Sequence, residues 1–343
     1  MRILIYSPYL HILGGGEQYI FNFVDCFKTE DEIYVVWKDT KVLSQIGNRF
    51  NIDLSRIHIL PFLPPRMYLK KFDIIFFVSD GSIPFLPLRR SVLLFMSPFI
   101  KVGGKSLFTQ IKLKFIKHIV CFSQYTKKYI DTEFGVNSQL IYPAIETVPM
   151  NQPKENIILS VGRFTNTLHQ KKQQALIEAF IDIEQKLKDW QLIIAGGTEP
   201  GSEILLTKLR RKARGHRISI KTNVSTPMLH QLYSKAKIYW HAAGFGADLR
   251  VAPQKAEHFG ISIVEAMSHK TIPLVFNAGG PVEIVTAGTG KVWNSLKELK
   301  ELTVEIATDE KESLNIGKNA QKRAGFFSKQ KFCQRWHELL NEK

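Results

Sequence analysis

Cysteine is scarce in this chain of 343 residues: there are three, Cys26, Cys121 and Cys333, and they lie far apart. Their spacing matches neither a metal-ligand motif nor a disulfide framework. We therefore expect free, buried thiols in a reducing compartment.

Long hydrophobic runs are also missing. The longest, such as Ile74–Val78 and Val92–Met96, have the length of a core strand and fall far short of the ~20 residues that a membrane-spanning helix needs. The chain begins with a strand-like segment whose apolar run is too short for a signal peptide. We expect a cytoplasmic protein, with peripheral attachment to the inner face of the cell membrane left open.

Acidic residues are outnumbered, with 31 Asp+Glu against 47 Lys+Arg and a net charge of +16. This balance favours anionic partners such as nucleic acid, an anionic membrane surface or phosphorylated small molecules. The excess is spread over both halves of the chain, and no nucleic-acid-binding module is recognisable. A Walker loop and a G-x-G-x-x-G fingerprint are absent as well, which removes the main support for nucleotide hydrolysis and dinucleotide binding. We expect no nucleic-acid partner.

Short Val/Ile/Leu/Phe runs alternate with helix-like segments, a pattern typical of buried parallel strands with crossover helices. In the first half, a helix is predicted over Glu17–Lys28. The strands predicted there are Arg2–Ser7, Ile33–Trp37, Ile57–Leu60, Ile74–Val78, Val92–Met96, Ile119–Phe122 and Gln139–Ile141.

A second series of the same kind follows a polar stretch near 146–155. Its predicted strands are Asn156–Val161, Gln191–Ala195, Ile218–Lys221, Ile238–His241 and Ile272–Phe276, and its predicted helices are Lys172–Lys186, Glu203–Ala213, Thr226–Ser234 and Ile263–Ser268. The fold class is therefore α/β, with two Rossmann-like doubly wound domains facing each other across a deep cleft, where open α/β sheets bind ligands. We expect an N-terminal domain over 1–148, a second domain over 149–326, and a closing C-terminal helix within 327–343 that packs back toward the first domain.

Glu257 and Glu265 flank a glycine and the start of an apolar helix. If Gly260 opens that helix, its free N–H groups favour an anion such as a diphosphate. Glu265, about one turn further in, could accept hydrogen bonds from ribose hydroxyls, and Glu257 could reach a second sugar. The spacing alone is equally compatible with a surface loop and a core helix whose glutamates are merely solvated.

Three other motifs fit a phosphorylated ligand. Gly162-Arg163 ends a strand and Lys171 opens the next helix, so two cations could clamp two phosphates. Gly279-Gly280 lets the backbone approach a ligand closely. The Gly14–Glu17 segment, between the first strand and helix, could wrap a phosphate or sugar. Each motif alone is also an ordinary surface feature.

In their order along the chain, these motifs resemble the large family 4 (group 1) of retaining glycosyltransferases with the GT-B fold. The matching pieces are Gly14-Gly15-Gly16-Glu17, Ser123 with Thr126 ahead of Tyr142-Pro143, Gly162-Arg163 with Lys171, Glu257 through Glu265, and Gly279-Gly280. They cover nearly the whole chain, and it is their ordered combination that is specific for the family.

The resemblance implies a hexosyltransferase that uses a GDP- or UDP-linked sugar, of mannose or glucose type, without a metal or other cofactor. It implies that Arg163 and Lys171 hold the diphosphate, Glu265 the ribose and Glu257 the transferred sugar. Catalytic roles fall to Arg163, Lys171 and Glu257. The full set expected to bind the sugar donor is Gly15, Gly16, Arg163, Lys171, Lys172, His241, Glu257, Phe259, Gly260, Ile261, Glu265, Gly279 and Gly280. Attack on the front face of the sugar, with the departing phosphate helping to deprotonate the acceptor, is the mechanism implied.

The chain departs from the family pattern in three places. Met96 or Ser97 stands where many members carry a histidine, and Lys172 follows Lys171 where glycine is usual. An expanded loop, 244–255, precedes Glu257. These departures leave open which first-domain residue contacts the sugar and which lysine meets phosphate. His241 could contact the sugar donor or make a structural hydrogen bond.

The acceptor is expected to be a saccharide or a lipid-linked glycan. Lysines and apolar residues interleave over Lys101–His118, with Arg89 and Arg90 just before, so this segment could rest on an anionic leaflet. A core helix with a solvated lysine face is the alternative. Two other hypotheses for the whole chain remain. One is a sugar-nucleotide epimerase or hydrolase on the same fold, and the other is a non-catalytic binder of sugar nucleotides or polyanions.

Overall fold

The structure is a computed structural model that describes residues 1–12, 14–38, 40–50, 54–55, 57–86, 91–145, 152–166 and 170–341. The chain divides into two compact units. The first contains Met1–Ala144 together with Lys329–Lys343, and the second contains Ile145–Ser328. The predicted junction near 146–155 lies partly outside the described residues.

The first unit is built on a parallel sheet of 7 strands in the order β3-β2-β1-β4-β5-β6-β7. The strands are β1 (Arg2–Tyr6), β2 (Glu32–Val36), β3 (Ile57–Leu60), β4 (Ile74–Val78), β5 (Ser91–Phe95), β6 (His118–Cys121) and β7 (Gln139–Leu140). Every residue of β4 and β5 is buried, because helices cover both faces of a doubly wound sheet.

The helices of this sheet are α1 (Gly15–Val24), α2 (Lys41–Phe50), α3 (Arg66–Leu69), α4 (Leu107–Leu113) and α5 (Gln124–Phe134). Helix α1 begins at glycines, and the Glu17 carboxylate accepts a hydrogen bond of 2.7 Å from the Gly14 N–H. In the basic and apolar segment Lys101–His118, only the central turns, α4, form a helix. The Ser106 side chain caps α4 at its start, and a turn follows it.

The second unit repeats the arrangement with a parallel sheet of 6 strands in the order β10-β9-β8-β11-β12-β13. The strands are β8 (Glu155–Val161), β9 (Gln191–Gly196), β10 (Ile218–Thr222), β11 (Ala236–His241), β12 (Ile272–Phe276) and β13 (Lys291–Trp293). The prediction of two doubly wound α/β domains is confirmed.

Seven helices of the described chain accompany this second sheet, and one more follows them at the C-terminus. They are α6 (Gln173–Ile183), α7 (Glu203–Ala213), α8 (Thr226–Lys235), α9 (Ile261–Ser268), α10 (Pro281–Ile284), α11 (Leu296–Thr308), α12 (Glu310–Ala324) and, last, α13 (Lys329–Asn341). Among the described residues, no helix has both the length and the apolarity needed to cross a membrane.

Helix α13 belongs to the first unit, where it packs on α1. The Tyr19 ring lies edge-on to Phe332 and Trp336, with centroids 5.1 and 6.4 Å away. Trp336 is fully buried, so this contact extends the core of the unit. Lys329 also forms an ion pair of 2.7 Å with Asp25.

The expectation of three free thiols is wrong. Cys26, just after α1, is disulfide-bonded to Cys333 of α13, although 307 positions separate them. Only Cys121 is a free cysteine among the described residues, and it is buried. Spacing could not reveal the pairing, because the packing of α13 on α1 brings the two residues together. Because Cys26 and Cys333 form a disulfide, free thiols no longer indicate a reducing compartment.

Candidate functional site

The second sheet has a topological switch point between β8 and β11. The chain runs outward from β8 in opposite directions along the sheet, so the crossover connections diverge between these neighbours. Ligands of open α/β sheets bind beyond the carboxyl ends of the strands at such a point. Strand β8 ends at Val161, directly before Gly162-Arg163, and β11 ends at His241. Sequence-predicted site residues therefore lie at the switch point.

Three of these residues meet at one carboxylate oxygen. Lys171 forms an ion pair with Glu257 Oε2, and His241 Nε2 lies 3.0 Å from the same oxygen. The side chains of Lys171 and Glu257 are largely buried, and only 3% of His241 is exposed. A cation, an imidazole and a carboxylate are thus fixed together at the ends of β8 and β11.

The charge state of this cluster follows from opposing effects. Burial alone would raise the pKa of Glu257, but the Lys171 ammonium and the His241 hydrogen bond outweigh it and hold the pKa well below its usual range. Burial lowers the pKa of His241, although the Glu257 carboxylate opposes this. Glu257 is therefore a carboxylate at neutral pH, and the neutral His241 must carry its proton on Nε2 to donate to it.

His241 holds Glu257 by this hydrogen bond. Of the two roles predicted for this histidine, the structural hydrogen bond is therefore observed. Its second ring nitrogen, Nδ1, is buried and has no hydrogen-bond partner among the described residues. In the Nε2–H tautomer, Nδ1 carries a lone pair that can only accept a hydrogen bond. A hydroxyl group of a ligand would satisfy it.

Backbone conformation brings the Lys171 side chain to the cluster. A Cβ at Gly162 would come within 2.5 Å of Lys171 Cγ, so glycine leaves room for this side chain beside the end of β8. The next residue, Lys172, caps α6 in the left-handed region with φ 56°. Glycine adopts that conformation without strain, so the glycine that the family resemblance implies at this place would suit this backbone.

Arg163 is not part of the Lys171 cluster. Its guanidinium forms an ion pair of 2.6 Å with Glu199, and its side chain is 38% exposed. The Arg163 carbonyl accepts a hydrogen bond of 3.0 Å from Gln173, which fixes the backbone between β8 and α6. To bind a phosphate, Arg163 would exchange Glu199 for it. Glu199 was not predicted as a partner of Arg163.

Gly279 and Gly280 pack against the backbone that carries Glu257. The Gly280 N–H donates a hydrogen bond of 2.8 Å to the Glu257 carbonyl, and a Cβ at either glycine would overlap the backbone of 257–259. Gly279 also has a φ of 72°, which favours glycine. The close approach predicted from this pair is thus made to the Glu257 segment. Phe259 anchors that segment, with its buried ring 5.5 Å from Phe327.

Helix α9 begins at Ile261, two residues before the predicted start at Ile263, with Gly260 as its N-cap at φ 113°. The N–H groups of Ile261 and Ser262 have no intrahelical acceptor, so they carry the positive end of the helix dipole. The Ile263 N–H, by contrast, donates a hydrogen bond of 3.0 Å to the Gly260 carbonyl. Glu265 lies one turn further along. Its carboxylate accepts a hydrogen bond of 2.8 Å from the hydroxyl of Tyr233, a residue that the sequence did not single out.

In the first unit, a glycine at the start of α1 lies against the Met96 side chain. A Cβ at Gly16 would come within 3.0 Å of Met96 Cε, so Met96, one of the two residues at the place where the resemblance implies a histidine, packs over this glycine. Gly15 is the first residue of α1. Ser123 caps α5 and accepts a hydrogen bond of 3.0 Å from the Thr126 N–H.

The Lys101–His118 segment presents large apolar side chains to solvent. Leu107 is 79% exposed and Phe108 67%. The loop before them is fixed, because the Glu133 carboxylate accepts hydrogen bonds from the N–H groups of Lys101, Val102 and Gly104. Arg89 and Arg90 lie outside the described residues. The alternative, a core helix with a solvated lysine face, does not fit α4, because the exposed face of this helix is apolar as well as basic.

The part of the chain that the structure describes contains no group of three or more His, Cys, Asp or Glu side chains that could hold a metal ion.

Comparison with known proteins gives three kinds of match. The family model described as glycosyl transferases group 1 matches residues 144–323. The GDP-Man:Man(3)GlcNAc(2)-PP-Dol alpha-1,2-mannosyltransferase of Dictyostelium discoideum is 23% identical over 227 residues, which are 61% of this chain and 43% of that protein. A glycogen synthase of Deinococcus deserti is 27% identical over 130 residues, 38% of this chain and 25% of that protein.

The chain thus spans less than half the length of these curated relatives. Among solved structures, Anabaena HepE in complex with UDP has a TM-score of 0.75 at 17% identity, with 99% of each chain covered. A glycosyltransferase from Rickettsia africae has a TM-score of 0.74 at 16% identity, with 100% of this chain and 99% of that chain covered. At such identities, these structures share the fold.

Proposed function

The chain belongs to the group 1 glycosyl transferases, and from this premise we propose that it transfers a hexose from a nucleoside-diphosphate sugar to a saccharide or lipid-linked glycan. The anomeric configuration of the sugar is retained in this proposal, and no divalent metal takes part.

One observation carries the proposal: Lys171 and His241 converge on Glu257 at the switch point of the second sheet, and Glu257 lies in the loop that leads into α9. A diphosphate at the first turn of α9 would meet free amides and the positive end of a helix dipole. The Lys171 ammonium would add a charge-assisted hydrogen bond. Glu265, one turn along, would accept hydrogen bonds from the ribose.

The reaction would proceed on one face of the sugar. The bond from the anomeric carbon to the diphosphate oxygen breaks, and a bond to the acceptor oxygen forms on the same side. The acceptor proton passes to the departing phosphate. Negative charge grows on the leaving diphosphate, so Lys171, Arg163 and the α9 amides would lower the barrier by stabilising that charge. Glu257 would bind hydroxyls of the transferred sugar, and Lys172 and the Phe259–Ile261 backbone would line the same site.

Two classes of nucleotide are supported by the comparisons. The D. discoideum relative is named for GDP-mannose, and the Anabaena structure contains UDP. Both suit a site that holds the diphosphate and ribose, which the two nucleotides share. A thermal-shift screen of GDP, UDP, GDP-mannose and UDP-glucose tests the proposal, because a ligand of the native state raises the melting temperature. If none of the four raises it at millimolar concentration, the proposal fails.

For a lipid-linked acceptor, we propose that α4 lies at the anionic membrane surface that holds the acceptor. The exposed Leu107 and Phe108 would enter the interface, and neighbouring lysines such as Lys105 and Lys112 would meet anionic headgroups. Lys112 Nζ lies 4.4 Å from the centroid of the Phe108 ring, so one cation and one apolar group share a face.

An epimerase or hydrolase on the same fold would use the same nucleotide site. Product analysis with and without an added glycan acceptor distinguishes these enzymes from a transferase. A transferase needs the acceptor for sustained turnover, whereas a hydrolase or epimerase consumes the sugar nucleotide alone. A polyanion binder would instead show no response to free nucleotides and a steep salt dependence with nucleic acid.

A further inference from the structure

Two buried tyrosines hold α9 from the side of the sheet. Tyr239, on β11, has its hydroxyl 3.1 Å from the Val161 carbonyl and 2.8 Å from Ser262 Oγ. A carbonyl can only accept, so the Tyr239 hydroxyl donates to Val161 and accepts from Ser262. This one group therefore ties the end of β8, next to Gly162-Arg163, to the first turn of α9.

Tyr233, on α8, holds the second turn. Its hydroxyl donates to Glu265 Oε2 over 2.8 Å, and its side chain is fully buried. Burial, and then the adjacent Glu265 carboxylate, raise the pKa of Tyr233 well above its usual range, so the phenol keeps its proton. One oxygen of Glu265 is thus oriented by the fold.

The other end of Tyr233 is fixed as well. Its backbone carbonyl accepts hydrogen bonds of 3.2 Å from Lys154 Nζ and 2.7 Å from Thr271 Oγ1. Its ring stacks on His269 with centroids 5.9 Å apart. Because backbone, ring and hydroxyl are all held, the position of the hydroxyl is set by the fold and carries over to the carboxylate that it contacts.

We propose that Tyr233 and Tyr239 are positioning residues for the sugar nucleotide, with Tyr233 aiming the Glu265 carboxylate at the ribose and Tyr239 setting the phosphate-binding turn of α9 against Gly162-Arg163. This inference rests on the proposed function. It assigns different parts of one nucleotide to the two tyrosines, although both lose only a buried hydroxyl on substitution by phenylalanine.

The two roles predict different responses to removal of the ribose hydroxyls. Wild-type protein binds UDP or GDP more tightly than the 2′,3′-dideoxy form of the same nucleotide, because Glu265 accepts from those hydroxyls. In Tyr233→Phe, this ribo-to-dideoxy affinity ratio falls about tenfold, the loss expected for a hydrogen bond that involves a charged group. In Tyr239→Phe, both forms bind more weakly by a similar factor, and the ratio stays as in the wild type.

Calorimetric titration of UDP, GDP and their 2′,3′-dideoxy forms into the full chain measures these ratios. Thr303→Val is the matched control, because it also removes a buried hydroxyl of the second unit, one that accepts a 3.0 Å hydrogen bond from Trp240 Nε1. The control lowers the melting temperature and leaves nucleotide affinities unchanged. A merely structural role for Tyr233 would weaken both nucleotide forms equally.

The inference is overturned if Tyr233→Phe keeps the wild-type ratio or if Tyr239→Phe changes it. If Tyr233→Phe does not fold, Tyr239→Phe and Glu265→Gln carry the test: Glu265→Gln must lower the ratio, and Tyr239→Phe must leave it intact while lowering both affinities. Wild-type protein that binds neither nucleotide would overturn the proposed function itself, and the positioning roles with it.

Discussion

Lys171 and Glu257 form an ion pair although 86 positions separate them in the chain. The pair joins the turn before α6 to the loop before α9, and His241 completes it from the end of β11. Because Glu257 is a buried carboxylate, it depends on these two partners. A sugar diphosphate that binds Lys171 would therefore compete with Glu257 for the same ammonium, which links phosphate binding to the carboxylate proposed to bind the sugar.

Lys171→Met is expected to lower kcat/KM about 10²- to 10³-fold, the cost typical of losing one group that stabilises charge in the transition state. The effect is measured with the sugar nucleotide that the thermal-shift screen identifies. Lys237→Met is the control, because Lys237 is a partly buried lysine of β11 that bonds Asn156 outside the site. Equal activities of the two variants would contradict the role of Lys171.

The buried His241 makes the stability of the second unit depend on pH. Its pKa is lowered in the folded chain, so below the ordinary value of about 6.5 the unfolded chain binds a proton that the folded chain does not. Stability is therefore lost as pH falls from about 7 through that value. Urea unfolding at pH 7.5 and pH 5.5 should show a smaller loss for His241→Gln than for the wild type. The same loss in both proteins would contradict a neutral buried histidine.

The strands could be predicted largely from the sequence, because buried parallel strands are nearly continuous apolar runs. Ile57–Leu60, Ile74–Val78 and Ile272–Phe276 have the predicted bounds, and so does α7, while α13 lies within the predicted range 327–343. Strand β13 was missed, since its three residues are too few to form a pattern. The predicted helix Glu17–Lys28 is wrong in extent. It begins two residues earlier, at Gly15, and ends at Val24, where its C-cap Asp25 is followed by a turn.

The site could be predicted only in part. The motifs located Lys171, Glu257 and the start of α9, because glycines, cations and carboxylates in that order carry a family pattern. The partners of those residues could not be predicted, since Tyr233 and Glu199 are ordinary residues of a helix and a loop until the fold brings them to Glu265 and Arg163. The same limit explains the missed pairing of Cys26 with Cys333.

The disulfide between Cys26 and Cys333 is expected to stabilise the first unit by about 2–4 kcal/mol, the usual range for a native cross-link. Cys333→Ser should lower the free energy of unfolding by that amount in the absence of reductant. Dithiothreitol should lower the stability of the wild type similarly and leave Cys333→Ser unchanged. Thiol titration of the denatured, unreduced wild type should find one thiol, Cys121. Three thiols would contradict the cross-link.

The exposed face of α4 predicts binding to anionic membranes. Sedimentation with phosphatidylglycerol-containing vesicles should recover the wild type, and Phe108→Ser should reduce the bound fraction severalfold, because apolar insertion and charge act together. Ile204→Ser is the control, since Ile204 of the second unit is 82% exposed and lies outside this face. Equal recovery of the wild type with neutral and anionic vesicles would contradict membrane docking.

Every role proposed for this site requires that the second unit binds a nucleoside diphosphate through α9 and Glu265. Calorimetric titration of GDP and UDP into the wild type and Glu265→Ala measures this binding. We expect micromolar to millimolar binding of at least one nucleotide by the wild type, weakened about tenfold or more in Glu265→Ala, with the circular dichroism spectrum of the variant unchanged. Equal affinity of both proteins for that nucleotide would refute the nucleotide-binding role of Glu265.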